Sequence, residues 1–365
     1  MKKKKGKFLY TDLADRIQGQ IEKGSFKLTE KLPSLRSLCH KTGLSMTTVF
    51  QAYIELEKRG VVESRQRSGY FIKPRLNRLR PAPENPAHRM IPKRISIDDL
   101  IHQMTEDLGD PEVFKLGSVA VAPDLLPSRQ LHRQMSALPK DKIPGIIAGY
   151  SHPQGSPLLR QQISNLLFPI IETASPEDII ITNGCTEALS LSLRAVTTPG
   201  STVLVESPSD PWLRQTVRDS KLFAAEIPTH PETGIDLNAV KNVILKERVS
   251  ACMINPNCQN PLGFIMPDTH KRHLLDLLKE ESIPIIENDI SGDIYFGRNR
   301  PNPVKKWDIT GNVIYCSSFS KTLAPGLRVG WVVPGRYKTE VKRLKLNQSL
   351  VSPTLNQAVI AAYLK

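Results

Sequence analysis

The sequence predicts two folded parts, a small α+β part near the amino terminus and a larger three-layer α/β part with a mostly parallel sheet. Two short helical patterns joined at a glycine, followed by two alternating stretches, predict the small part, which we end at residue 73. Short β-branched runs that alternate with helical patterns predict the large part, which we begin at residue 95. A length of 365 residues accommodates both parts.

The first helix is predicted over residues 9–23. Apolar side chains recur there at every fourth position from Leu9 to Ile21, so that they lie on one face of a helix. Gly24 follows the last of them and is typical of a helix end.

Two further helices are predicted in the stretch LPSLRSLCHKTGLSMTTVFQAYIELEKRG, residues 32–60. Ser34 is typical of a helix start, and Gly43 supplies a sharp turn after the first helix. Ser45 then begins the second helix, which Gly60 closes. Two short helices joined at a glycine, the second beginning with small polar residues, are typical of a helix-turn-helix.

The stretch VVESRQRSGYFIKP alternates like two short strands around a basic turn, which predicts a wing. In winged helix-turn-helix modules the start of the second helix contacts base edges, and positive side chains contact phosphates. The predicted base contacts are Ser45, Met46, Thr47 and Thr48. The other predicted DNA contacts are Ser34, Arg36, Arg65, Arg67, Ser68 and Gly69. A small helical domain that binds protein remains the alternative.

The charge distribution supports DNA as the partner of the small part. Residues 1–80 contain 19 Lys and Arg and 7 Asp and Glu, so +12 of the net charge of +14 lies there. A basic part of this kind is expected to meet phosphate backbones. For the first seven residues, a solvated basic tail is the alternative reading.

Other classes of protein are disfavoured. The sequence has no run of 18 or more apolar residues and no apolar stretch of signal-peptide type after the lysines at positions 2 to 5, so we expect a cytoplasmic protein. Its five cysteines have neither CxxC spacing nor a paired-histidine pattern. They therefore predict no disulfide framework and no metal site, and most are expected to be buried thiols.

Residues 74–94 are rich in proline and basic side chains and predict a semi-rigid linker. Beyond them, the runs DIIIT, TVLVE, KLFAAEI, SACMIN, IPIIEN and NVIYCS predict strands, with helices between them. Ligands of parallel sheets bind at the carboxyl ends of strands. One such end leads into Gly184, Cys185 and Thr186 at a helix start, where free amides attract an anion such as phosphate.

Residues 9–73 closely resemble the winged helix of GntR-type bacterial regulators, on the motifs LPSLR, TGLSMTTVFQAY and RQRSGYF. From about residue 115 onward the chain resembles the fold-type I aminotransferase class, which uses pyridoxal 5'-phosphate, with SSFSKTLAPGLRVGW at residues 317–331 as the most specific motif. The combination resembles the MocR group of regulators. An ordinary surface lysine is the alternative reading of Lys321.

The resemblance implies a role for each matching residue. Lys321 would form the Schiff base with pyridoxal phosphate, and would be the catalytic residue of any reaction. The phosphate would be held by Ser318, Arg328, residues 184 to 186 and, from the neighbouring subunit of a homodimer, Tyr150. Asn260 would bond the ring hydroxyl, and Asn288 would lie at the ring nitrogen.

Three departures from the family pattern bear on activity. Asn288 stands where an aspartate pairs with the ring nitrogen, and Ser291 stands where a tyrosine supports the ring hydroxyl. Asp210 replaces a tyrosine near the cofactor, with Trp212 two residues later as a substitute. The chain also ends at residue 365, before the small carboxyl-terminal domain of the family, so we expect a truncated form.

These observations predict a DNA-binding transcriptional regulator whose aminotransferase-like domain binds pyridoxal phosphate and senses a small amine or amino acid, with weak turnover or none. Two alternatives remain open. One is an active aminotransferase that carries a DNA-binding domain, and the other is a degenerate truncated regulator that binds no cofactor.

Overall fold

The computed structural model describes residues 8–22, 31–65, 68–73 and 119–365, which belong to two compact units. The predicted linker and Arg67 lie outside these residues. Within them, no helix is both long and apolar enough to cross a membrane.

The small unit contains three helices and a two-stranded antiparallel sheet among its described residues. Its helices are α1 (Leu9–Glu22), α2 (Leu35–Thr42) and α3 (Met46–Lys58). Its strands are β1 (Val62–Arg65) and β2 (Gly69–Ile72). This confirms the predicted winged helix-turn-helix, including the left-handed conformation of Gly43 after α2.

Helix α3 forms the centre of the small unit. Its apolar face, which includes Val49, Tyr53 and Leu56, is buried against α1 and the strands. The hydroxyl of Tyr53 donates a 2.7 Å hydrogen bond to the carbonyl of Pro33, which ties α3 to the start of α2. Leu9 is exposed, because the apolar stripe of α1 extends one turn beyond the buried residues of that helix.

The large unit alternates strands and helices as the sequence predicts. Its helices are α4 (Ser128–Ser136), α5 (Ile143–Ala148), α6 (Pro157–Leu167), α7 (Cys185–Val196), α8 (Pro211–Asp219), α9 (Leu237–Ile244), α10 (Asp268–Glu280), α11 (Lys338–Ser349) and α12 (Thr354–Leu364). Its strands are β3 (Ile180–Thr182), β4 (Thr202–Ser207), β5 (Phe223–His230), β6 (Gly234–Ile235), β7 (Val249–Ile254), β8 (Ile285–Asn288), β9 (Val313–Ser318) and β10 (Gly330–Val333).

These eight strands form one sheet in the order β3-β10-β9-β8-β7-β4-β5-β6. The five strands from β9 to β5 are parallel neighbours, which places their carboxyl ends at one edge. Strand β10 runs antiparallel between β3 and β9, and β6 runs antiparallel to β5. The mostly parallel sheet is therefore confirmed, with β6 and β10 as strands that the sequence pattern did not predict.

Helices cover both faces of the sheet. Alternate side chains of the strands enter two separate apolar clusters, one with α7, α8 and α11 and the other with α9 and α10. In β4, for example, Val203 and Val205 face the first cluster, and Leu204 faces the second. A sheet buried on both faces explains why its strands read as continuous apolar runs. The three layers hold the carboxyl ends of the strands in fixed relative positions.

Replacing Leu56 with Ala should lower the unfolding free energy of the small unit by about 3 kcal/mol, because the fully buried side chain leaves a cavity in the core. Phe50 lies on the same helix but is 41% exposed, so Phe50→Ala should cost less than about 1 kcal/mol. Calorimetry on the full chain measures both. Equal costs would contradict the assigned core face of α3.

Glu206 lies buried near the carboxyl end of β4, where it accepts a hydrogen bond from the backbone N–H of Asn255 at 2.8 Å. Burial raises the pKa of its carboxyl group to about 8, and the hydrogen bond opposes part of that rise. The folded chain therefore keeps a proton that the unfolded chain loses above its ordinary pKa of 4.5. As a result, stability falls as the pH rises from the unfolded pKa towards the folded one.

Glu206→Gln mimics the protonated side chain, so it should remove this pH dependence. Between about pH 5 and about pH 8, unfolding free energy should shift by roughly 3 kcal/mol in favour of the variant relative to the parent. Tryptophan fluorescence during denaturant unfolding reports the large unit, which contains all three tryptophans. The exposed Glu172→Gln is the control and should show no such shift. A pH-independent difference for Glu206→Gln would contradict the buried proton.

Candidate functional site

The first turn of α3 presents the predicted base contacts. Met46 and Thr47 are exposed there. Ser45 caps the helix by accepting the backbone N–H of Thr48 at 3.2 Å, and the two hydroxyl oxygens are 2.8 Å apart. Met46 and Thr47 are therefore free of the cap, whereas Ser45 and Thr48 also hold the helix start in place.

The start of α2 has the same construction. Ser34 accepts the backbone N–H of Ser37 at 3.2 Å, as an N-cap does. Arg36 projects from the first turn as an exposed cation. This arrangement leaves Arg36 able to reach a phosphate.

The wing lies between β1 and β2. Arg65 forms a 2.8 Å ion pair with Glu63, and its guanidinium lies 4.4 Å from the centre of the Phe71 ring. Ser68 and Gly69 are exposed. The charge of Arg65 is thus partly neutralised within the wing. The run of basic residues in the sequence did not suggest this ion pair with Glu63.

In the large unit, the residues that lead from β3 into the first turn of α7 form a turn that we call the anion turn, residues 183–186. Gly184 has a φ of 80° and no side chain to cap α7, so the amides of the first helical turn have no side-chain cap. An uncapped helix start attracts anions through these amides and the helix dipole. Cys185 is buried in the turn, and Thr186 is exposed.

Arg328 lies against the anion turn. Its guanidinium donates to the carbonyl of Asn183 at 3.4 Å and to the Ser320 hydroxyl at 3.4 Å. A Cβ added to Gly184 would lie 2.3 Å from Nη2 of Arg328, so only glycine leaves room for this cation. Ser318 is the last residue of β9, directly before the loop that contains Ser320 and Arg328. Its hydroxyl accepts the backbone N–H of Ser320 at 3.3 Å.

Lys321 follows β9 and is half-buried. Its Nζ donates a 2.7 Å hydrogen bond to the carbonyl of Val119. Burial lowers the pKa of the Lys321 amine, and Arg328 lowers it further, whereas Asp210 opposes the change. A lowered amine pKa favours the neutral, nucleophilic form.

The two loops after β4 and β7 meet at Asp210 and Asn260. The side-chain amide of Asn260 donates to Oδ2 of Asp210 at 2.9 Å. Oδ1 of Asp210 accepts the backbone N–H of Trp212 at 2.8 Å and so caps α8. Trp212 itself is exposed. Asp210 therefore places a carboxylate among the groups that act on Lys321.

Asn288 ends β8 and is buried. Its Oδ1 accepts the thiol of Cys185 at 3.4 Å and the backbone N–H of Ile290 at 3.3 Å. The next side chain, Asp289, has a separate set of partners. It bonds Asn257 at 2.8 Å, Tyr315 at 2.8 Å and Arg300 at 2.7 Å. Its carboxylate is thus committed to this second network, as expected for adjacent residues at a strand end.

Tyr150 is 84% exposed, so it stands away from the buried part of the site. Ser291 is half-buried beyond Asn288. Three of the five cysteines, at positions 185, 252 and 316, are buried thiols, as expected. Among the described residues, no cluster of ligating side chains could hold a metal ion.

The sequence reasoning missed Glu187, which lies in the first turn of α7 and contacts Asn183. It also missed the amide of Asn255, which donates to the carbonyl of Asn288 at 2.8 Å and joins the ends of β7 and β8. A glutamate three residues after a helix start is a signal of a cap that reaches backward, and it could have identified Glu187. No local pattern points to Asn255.

Comparison with known proteins gives a separate family match for each of the two units. Residues 9–72 match the bacterial regulatory proteins of the gntR family, and residues 114–365 match the aminotransferases of class I and II. The crystal structure of LysN from Thermus thermophilus, an alpha-aminoadipate aminotransferase complexed with N-(5'-phosphopyridoxyl)-L-leucine, aligns with a TM-score of 0.62 and 25% identity over 73% of this chain and 70% of that one. An archaeal alanine:glyoxylate aminotransferase aligns with a TM-score of 0.65 and 26% identity over 74% of this chain and 68% of that one.

Whole-chain relatives share both units. The HTH-type transcriptional regulators YjiR and YdcR of Escherichia coli are 38% and 36% identical to this chain, over 97% of it and 75% of each relative. The 2-aminoadipate transaminase of Thermus thermophilus is 30% identical over 70% of this chain and 64% of that protein. The chain belongs to the family of transcriptional regulators that join a DNA-binding helix-turn-helix of the gntR type to an aminotransferase class I and II domain.

Proposed function

We propose that this regulator binds pyridoxal 5'-phosphate through Lys321 and that the loaded site senses a small amine or amino acid, as in MocR-type regulators. The observation that carries the proposal is the convergence of Lys321, Arg328 and the anion turn at the carboxyl ends of β3 and β9. Pyridoxal phosphate supplies an aldehyde that condenses with primary amines and a ring that withdraws electrons. We place the protein in the cytoplasm.

The residues of this chain fit the phosphate and aldehyde ends of that cofactor. Arg328 and the uncapped start of α7 would hold the phosphate, with Ser318 beside them. Because Gly184 has no Cβ, the guanidinium of Arg328 lies directly against the anion turn, where it can reach a bound phosphate. Lys321 would hold the aldehyde, because its lowered pKa favours the free amine. Tyr150 of a second subunit would complete the phosphate site of a homodimer.

The ring-nitrogen end supports sensing over turnover. Asn288 would meet the ring nitrogen with an amide, which cannot balance a positive ring as a carboxylate does. Asp289 would not replace it, since its carboxylate is held by Arg300 and Tyr315. Asn260 would bond the ring hydroxyl while Asp210 holds its amide. An active aminotransferase is thus the less supported function, although relatives by sequence and by fold carry that name.

Regulation requires that the ligand change DNA binding. A dimer would present two copies of α3 to two half-sites, with base contacts from Met46 and Thr47 and phosphate contacts from Arg36. A ligand can shift such an arrangement only when it binds the two states with different affinity. The aminotransferase-like domain would supply that difference.

Cofactor binding is tested by absorbance spectra of the purified chain with and without pyridoxal phosphate, followed by borohydride reduction and mapping of the modified residue. We expect an absorbance band that depends on the cofactor. After borohydride reduction, we expect the cofactor to be attached covalently to Lys321. Lys321→Ala should abolish the label, whereas the exposed Lys306→Ala should retain it. A colourless protein, or the same label in Lys321→Ala, would contradict the role of Lys321. Conversion to the pyridoxamine form with amino acids would favour the active enzyme.

DNA binding is tested with a duplex selected from a random-sequence library. Arg36→Ala should weaken binding to every duplex and flatten the dependence of log Kd on log salt by about one, because one phosphate contact is lost. Arg16→Ala removes a cation from α1 that is paired with Asp12, and should leave the slope nearly unchanged. Thr47→Ala should instead reduce the preference for the selected duplex. A Kd that does not depend on salt would contradict the phosphate contacts.

A further inference from the structure

A buried carboxylate lies directly behind the anion turn. Glu187 is 8% exposed, and its Oε2 accepts the backbone N–H of Asn183 at 2.6 Å. The carbonyl of Asn183 accepts Arg328 at 3.4 Å. Both peptide groups of Asn183 are therefore held in place, immediately before Gly184, whose missing side chain restricts rotation least. These two hydrogen bonds of Asn183 therefore set the direction of the backbone amides that follow it.

The same carboxylate is paired with a buried cation from a different part of the chain. Lys345 on α11 is 0% exposed, and its Nζ donates to Oε2 of Glu187 at 2.8 Å and to the Ser352 hydroxyl at 2.9 Å. The Ser349 hydroxyl donates to Oε1 of Glu187 at 2.7 Å. Glu187 thus connects the anion turn to the last residue of α11 and the segment that leads from it to α12. We call these residues, 349–353, the α11–α12 junction.

Because both charges are buried, separating Glu187 from Lys345 is unfavourable. Burial lowers the pKa of the Lys345 amine, and Glu187 opposes that change. Removing one member of a buried pair leaves an unpaired charge in the interior, whereas removing both members does not. A shift of the anion turn that drew Glu187 away from Lys345 would have the same unfavourable effect. The turn and the junction are therefore expected to move together.

We propose that Glu187 is a positioning residue for phosphate binding at the anion turn, and that its pair with Lys345 couples occupancy of the turn to the packing of the α11–α12 junction. The occupant is the phosphate of pyridoxal phosphate, so the binding part of this inference rests on the proposed function. Coupling between two sites is reciprocal. A ligand that orders the anion turn also orders the junction, and a disturbance of the junction lowers the affinity of the turn for the ligand.

The binding test uses the full chain and titration with pyridoxal phosphate. Glu187→Gln keeps an acceptor for Asn183 but removes the charge that balances Lys345, so Kd should rise about tenfold. The double variant Glu187→Gln/Lys345→Met removes both charges and should recover most of that loss. Borohydride should still label Lys321 in each variant. A double variant that binds more weakly than Glu187→Gln overturns the role of the pair.

The matched control is a second buried pair in the same unit. Asp308 pairs with Lys305 at 2.9 Å before the start of β9, whereas the anion turn lies beside the end of that strand. Asp308→Asn should lower the melting temperature in the manner of Glu187→Gln and leave Kd unchanged. Equal Kd values for the two variants would assign Glu187 a structural role only, and the proposal would fail.

Hydrogen exchange in the ligand-free chain separates this inference from the cofactor proposal. Glu187→Gln should speed exchange of amides in residues 183–187 and in the junction, while Asp308→Asn should leave both segments as in the parent. Unchanged exchange in the junction overturns the coupling. If the parent chain binds no pyridoxal phosphate, the proposed function fails, and this exchange measurement still decides whether Glu187 positions the turn.

Discussion

The site in the large unit depends on one close contact between two glycines. Gly330 begins β10 and pairs with Thr182 of β3 on one side and Ser318 of β9 on the other. A Cβ on Gly330 would lie 2.5 Å from the carbonyl carbon of Gly184. Because no side chain intervenes, the turn after β3 lies against the loop after β9. The helix start, Arg328 and Lys321 are neighbours for this reason.

The charged groups around that contact are divided between two faces. The cations and the helix start converge on the side of Lys321, where Asp210 is the acidic group that acts on the amine. On the other side, Asp289 is enclosed by Arg300, Tyr315 and Asn257. The side chain of Asn288 accepts the thiol of Cys185 in the anion turn. The side chain at the end of β8 that bonds the anion turn is therefore an uncharged amide, and the nearest carboxylate in sequence is paired elsewhere.

The sequence predicted features whose signals are local. The caps at Ser34 and Ser45 and the turn at Gly43 lie within a few residues of the helices they define, and the apolar runs of a sheet buried on both faces are continuous. Strand β10 was not predicted, because it is short and overlaps the end of the SSFSKTLAPGLRVGW motif. The pair of Glu187 and Lys345 joins residues 158 positions apart, a contact that no local pattern encodes. The bond from Asn260 to Asp210 likewise needed the sheet to bring two loops together.

The position of β10 in the sheet has a consequence for how the chain is made. Among the residues that the structure describes, strand β3 is bonded to the sheet only through β10, which comes about 150 residues later in the chain. During synthesis, β3 and the far edge of β9 both stay unpaired until residues 330–333 have left the ribosome. Unpaired strands are templates for pairing with other chains. Before β10 emerges, a strand of another chain can therefore occupy the position in the sheet that β10 takes later.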